Sequence, residues 1–146
     1  MPKFRTPVFL CVFLTLGLFL AHASDLDLDK VKIYFLNQDY KLAISEGEKI
    51  LANAGNSTKG LDELYYILGL SYLKDGNILR ASDIFEIILN EFKVSNFKEE
   101  ASLGLADTYF LRENYNEAQA RYNKLLNDNP KTRLITPIYY RRLKAR

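Results

Sequence analysis

The chain of 146 residues has no tryptophan and only one cysteine, one histidine and one methionine. Each scarcity excludes something. Cys11 lies inside an N-terminal apolar run and His22 just behind it. A chain trimmed of that run has no thiol for a disulfide, no imidazole for proton transfer and no Cys or His for a zinc site. Period-two alternation is also missing, which argues against strands, while apolar residues recur at three and four throughout. Acidic residues are absent from both ends. Between Ser24 and Pro130 there are 18 acidic and 12 basic residues, whereas Lys131 to Arg146 holds six basic residues and no acid. A split of this kind marks an interaction tail or a solvated cap.

What stands at the N-terminus reads as an export signal. Lys3 and Arg5 precede an apolar run from Val8 to Ala21, and Ala21-His22-Ala23 supplies small residues at signal-peptidase spacing. The run is 14 residues long, against the ~20 that span a bilayer as a permanent helix. Residues 1–23 are therefore expected to be removed, leaving a mature chain that starts near Ser24; an uncleaved anchor is the alternative. Cys11 sits too early to become a lipid-modified first residue.

The rest organises around Tyr65 to Phe85. Tyr65, Leu68, Gly69 and Tyr72 fall on one helical stripe, and Gly69 is small enough for a second helix to approach closely. Asp75-Gly76-Asn77 breaks the helix, and Ala81, Ile84, Phe85, Ile88 and Leu89 form the return stripe, with Phe85 filling the wedge below Ala81. The pattern recurs 37 residues on as Leu105, Ala106, Tyr109, Ala118 and Tyr122, ending at Pro130. It recurs 38 residues back as Tyr34, Tyr40, Ala43 and Ile50. Six helices are expected, at about 26–37, 40–53, 61–75, 78–92, 97–112 and 115–128. Short polar turns at Asn37-Gln38-Asp39, Asp75-Gly76-Asn77 and Arg112-Glu113-Asn114 make each pair antiparallel. Beyond Pro130, Thr136 is expected to cap a further helix with Pro137 in its first turn. That helix is either a basic cap or the start of a fourth repeat.

This spacing resembles the tetratricopeptide repeat family, whose pattern is an aromatic, Leu-Gly, Tyr, Ala, an aromatic and Pro. The resemblance implies an all-α fold: a solenoid of about three antiparallel helix hairpins over residues 24–130, with units near 24–56, 61–93 and 98–130, plus a C-terminal helix at 131–146. The long period is similar to that of a bacterial envelope subgroup, which includes the outer-membrane barrel-assembly lipoprotein and the periplasmic coordinator of the Tol-Pal system. Gly47 stands where the other units have Phe85 and Tyr122, so the first hairpin is expected to leave space unfilled and to fray.

Candidate sites follow in the same order. The pairs Asp62-Glu63 and Glu99-Glu100 open predicted helices, where negative charge suits the positive end of the dipole. Adjacent helical residues point apart, so a paired-carboxylate catalyst is disfavoured and no enzyme activity, cofactor or metal is expected. Gly55 to Gly60 has glycines, hydroxyls and a lysine, but in the wrong order for a phosphate loop and with no strand before it. Nucleic-acid binding would rest on Arg133, Arg141, Arg142, Lys144 and Arg146 alone, and the acidic body argues against it. The resemblance implies a partner in the groove lined by the first helix of each hairpin. Those positions are Leu28, Lys32, Phe35 and Leu36; Glu63, Tyr66, Leu70, Leu73 and Lys74; and Glu100, Leu103, Asp107, Phe110 and Leu111. Leu28, Tyr66 and Leu103 replace the lysines and asparagines of a carboxylate clamp, which leaves an apolar or amphipathic segment as the expected ligand. The alternatives are that Phe35, Tyr66 and Phe110 merely pack against neighbours, and that the Tyr139-Tyr140 end stacks on a second copy. The function expected is an exported scaffold for envelope proteins; a self-assembling repeat or a piece of a longer array is the alternative.

Overall fold

A computed structural model describes residues 26–55 and 59–145. Residues 1–25, the loop triplet Asn56-Ser57-Thr58 and Arg146 lie outside the described residues, and so do the export signal, Cys11 and His22. The described residues form seven helices and no strand: α1 (Asp29–Leu36), α2 (Tyr40–Asn53), α3 (Leu61–Asp75), α4 (Ile78–Glu91), α5 (Lys98–Leu111), α6 (Tyr115–Asp128) and α7 (Ile135–Lys144). The odd-numbered helices form one layer and α2, α4 and α6 the other, each second-layer helix packing between two first-layer neighbours. The result is an all-helical, tetratricopeptide-like solenoid of three hairpins followed by a seventh helix.

Each hairpin reverses through the same device. Gln38, Gly76 and Glu113 occupy equivalent places and all have positive φ, at 63°, 87° and 61°. Glycine adopts that conformation freely; glutamine and glutamate do so at a cost. In return the next amide closes the helix end: the N–H groups of Asp39, Asn77 and Asn114 donate to the carbonyls of Tyr34, Tyr72 and Tyr109 at 2.9, 2.9 and 3.0 Å. Asn77 and Asn114 then start α4 and α6, their side-chain oxygens accepting from the N–H of Arg80 at 3.2 Å and of Glu117 at 3.4 Å.

Packing between layers is decided at one register. Phe85 is fully buried, with its ring lodged between two glycines of different helices. A Cβ on Gly69 of α3 would lie 2.7 Å from the ring, and one on Gly104 of α5 2.5 Å from it. In the first hairpin the same register is Gly47, and here the expectation of unfilled space is corrected. Leu68 and Leu64 of α3 press into the notch, so that a Cβ on Gly47 would lie 2.7 Å from Leu68 Cδ2. In the third hairpin Tyr122 is fully buried and its hydroxyl donates to Asp107 at 2.8 Å.

The core runs along the interface between the layers. Ala43, Leu64, Leu68, Tyr72, Ala81, Phe85, Ile88 and Leu105 are buried in its larger part, with Tyr34, Tyr65 and Tyr109 partly buried against it. Ala106, Ala118, Tyr122, Leu125 and Ile138 continue it to α7. Pro130 is exposed, in the turn after α6. Helix α7 starts at Ile135, one residue ahead of the threonine expected to cap it, because Thr132 ties down its entry instead, with a hydroxyl oxygen that accepts from Leu134 N–H at 3.1 Å.

Candidate functional site

The first-layer positions expected to line a groove carry both charged, self-paired groups and apolar ones. The charged groups run from Glu63 and Glu100 near the helix starts to Asp107 in the second half of α5. Lys32 of α1 meets Glu63 of α3 at 2.8 Å. Tyr66 of α3 stacks on Phe97, just before α5, with ring centroids 4.9 Å apart. Arg133 pairs with Glu100, and Arg141 of α7 meets Asp107 of α5 at 3.1 Å. Each contact ties one unit to the next. Arg133 and Arg141, expected from the sequence to belong to a solvated basic tail, pair with carboxylates of α5, Arg133 remaining exposed and Arg141 partly so.

Asp107 is a largely enclosed charged group among these positions. Burial pushes its carboxyl above the usual range, against the opposing pull of Arg141 and the Tyr122 hydroxyl. Burial likewise raises the Tyr122 phenol, with the Asp107 carboxylate adding to the effect. The arrangement fixes three helices at one point: α5 through Asp107, α6 through Tyr122 and α7 through Arg141. It joins three helices through one hydrogen bond and one ion pair.

Two of the expected groove positions are not exposed. Leu28 and Leu103 are buried, because each is overlain by the start of the following unit. Near the helix C-termini several apolar side chains stand beside Lys74 and Asp107. Phe35 and Phe110 lean on the first residues of their own return helices, 5.8 Å from the Tyr40 ring and 5.4 Å from the Tyr115 ring. Leu70 and Leu73 stand partly buried between them in sequence register. Leu36 and Leu111 are left 75% and 51% exposed, with Lys74 in the equivalent place on α3. These two exposed leucines end α1 and α5, two units apart.

A second repeating device was not anticipated from the sequence. Ser95 Oγ donates to Asp62 at 2.8 Å and accepts from Phe97 N–H at 3.0 Å. Thirty-seven residues on, Thr132 Oγ1 donates to Glu99 at 2.5 Å and accepts from Leu134 N–H. The carboxylates at the starts of α3 and α5 thus clip the loop of the next unit, a use beyond the helix dipole. The signal was there: a hydroxyl 33 residues after an acidic residue, occurring twice at the repeat period. Among the described residues no cluster of acidic groups is arranged to hold a metal, and no helix is long and apolar enough to cross a membrane.

Residues 100–132 match the tetratricopeptide repeat. The match spans most of α5, all of α6 and the turn carrying Thr132, so it falls on the third hairpin and supports the resemblance read from the spacing of all three. Such repeats are generally interaction modules without catalysis. No curated protein matches the chain.

Proposed function

We propose that the mature chain is an exported scaffold of the bacterial cell envelope that holds an apolar or amphipathic segment of another envelope protein. The docking surface comprises Phe35, Leu36, Leu70, Leu73, Phe110 and Leu111. The observation that carries this reading is a contrast within the first layer. Its charged groups are already paired between units, whereas Leu36 and Leu111 stand open to water. Lys74 lies among these leucines and favours a segment with an acidic flank. Export is supported by Lys3, Arg5, the run from Val8 to Ala21 and the Ala21-His22-Ala23 site. Envelope duty in outer-membrane assembly or Tol-Pal coordination is proposed by analogy with the long-period repeats it resembles.

A photo-crosslinking residue at Leu111 or Phe110, compared in cells with one at Tyr66, tests the surface. Capture of an envelope protein from 110 and 111 but not from 66 supports the apolar positions; capture from 66 alone overturns it. N-terminal sequencing of the exported protein tests the signal, with Ser24 as the expected first residue.

A further inference from the structure

Where glycine leaves a gap between the layers, a neighbour presses into it: Leu64 and Leu68 at Gly47, and Phe85 at both Gly69 and Gly104. Ser102 of α5 departs from that rule. Beside it, between the C-terminal halves of α4 and α6, lies a cavity of about 150 Å³ walled by Leu89, Leu105 and Leu125. One unit back, the register of Ser102 is Tyr65. That tyrosine is partly buried against the core, with its ring centroid 5.6 Å from that of Phe92. The third unit lacks both rings, because the register of Phe92 is Asn129. We propose that the cavity at Ser102 receives one aromatic side chain of a partner protein, which supplies in trans the ring that Tyr65 supplies in the second unit.

Size and polarity specify the occupant. A cavity of about 150 Å³ with leucine walls is large enough for a benzene-sized group. The chain's own return helix does not fill it. At the registers of Ile84 and Ile87 on α4, helix α6 has Arg121 and Lys124, and both are engaged elsewhere. Arg121 pairs with Glu117 at 2.9 Å and lies 4.4 Å over the Tyr109 ring, while Lys124 pairs with Asp128 at 2.6 Å. The charges that line the cavity are thus already matched, and the group that fits is neutral. The Arg121 guanidinium beside the leucines favours the face of a ring over an aliphatic side chain.

This cavity shares no residue with the docking surface of Phe35, Leu36, Leu70, Leu73, Phe110 and Leu111, so the two sites stand or fall separately.

The test titrates three probes into the isotope-labelled full chain and follows amide shifts: p-cresol, which is the tyrosine side chain alone, N-acetyltyrosine amide, which places the same ring on a backbone, and N-acetylleucine amide. The proposal expects saturable shifts around Leu89, Ser102 and Leu125 with N-acetyltyrosine amide, at least as tight as with p-cresol and tighter than with the leucine probe. The affinity should change by less than ~2-fold between low and high salt. Ser102→Tyr puts the chain's own ring in the gap; it should melt at or above the parent and bind at least ~10-fold more weakly. Leu89→Asp, at a partly buried wall residue, should weaken binding as much, whereas Ser102→Ala keeps the space and should bind within ~2-fold of the parent. Absence of saturable shifts around the cavity, equal binding of the leucine probe, or unchanged affinity in both Ser102→Tyr and Leu89→Asp overturns the proposal. Binding of p-cresol without N-acetyltyrosine amide would assign the cavity to a free aromatic molecule, and overturn it too.

Discussion

The first and second hairpins solve the same packing problem from opposite sides. In the second, the return helix supplies bulk as Phe85 and two first-layer helices recede as Gly69 and Gly104. In the first, the return helix recedes as Gly47 and the facing helix supplies bulk as Leu64 and Leu68. The volume between layers is conserved, and the identity of the residue that fills it is not. Repeats related by a period need not repeat their side chains, provided that each interface is filled once.

The contrast breaks most severely at Phe85. Phe85→Ala should empty a site enclosed by three helices and lower stability by about 3–5 kcal/mol, read as a reduced urea midpoint. Gly104→Ala should cost less, about 1–3 kcal/mol, because its methyl meets the body of an aromatic ring that cannot turn aside. Gly47→Ala sharpens the comparison. Its methyl meets the tip of a leucine, which can shift a few tenths of an ångström, and the helix gains roughly 1 kcal/mol of propensity. We expect Gly47→Ala to lie within about 1 kcal/mol of the parent.

The third hairpin adds a pH-dependent case. Burial raises the Asp107 carboxyl in the folded chain, so the folded state holds that proton to higher pH than the unfolded state does. Stability from this group therefore falls as pH rises from the ordinary carboxylate range through its raised value. Asp107→Asn should flatten that part of the stability profile, as followed by thermal melts across pH. The smallest effect belongs to the clips between units: Thr132→Val or Ser95→Ala should cost about 1 kcal/mol each, since both carboxylate partners keep access to water.

Much of this fold was legible in the residues, for reasons the structure makes plain. The hairpin reversals were readable because Asp75-Gly76-Asn77 and its equivalents break a helix locally, and helices α2, α3 and α6 occupy the expected spans. The wedge was readable at Gly69 and Phe85 because both lie within one unit. Gly104 escaped notice because it touches Phe85 across a unit boundary, 19 residues away, where helical periodicity carries no information. The groove was half legible. Its register followed from the repeat, but the burial of Leu28 and Leu103 depends on the loop of the next unit. The ion pairs of Arg133 and Arg141 depend likewise on how the tail turns back.

The central claim is that volume exchanged across the layers joins successive units into one body, and a double-mutant cycle measures it directly. Phe85→Leu removes the ring edge that Gly104→Ala would strike, so the pair should be more stable than the sum of the single losses predicts, by at least ~1 kcal/mol in urea unfolding. Strict additivity of the two substitutions would show that Phe85 and Gly104 do not share a filled space, and would contradict the account.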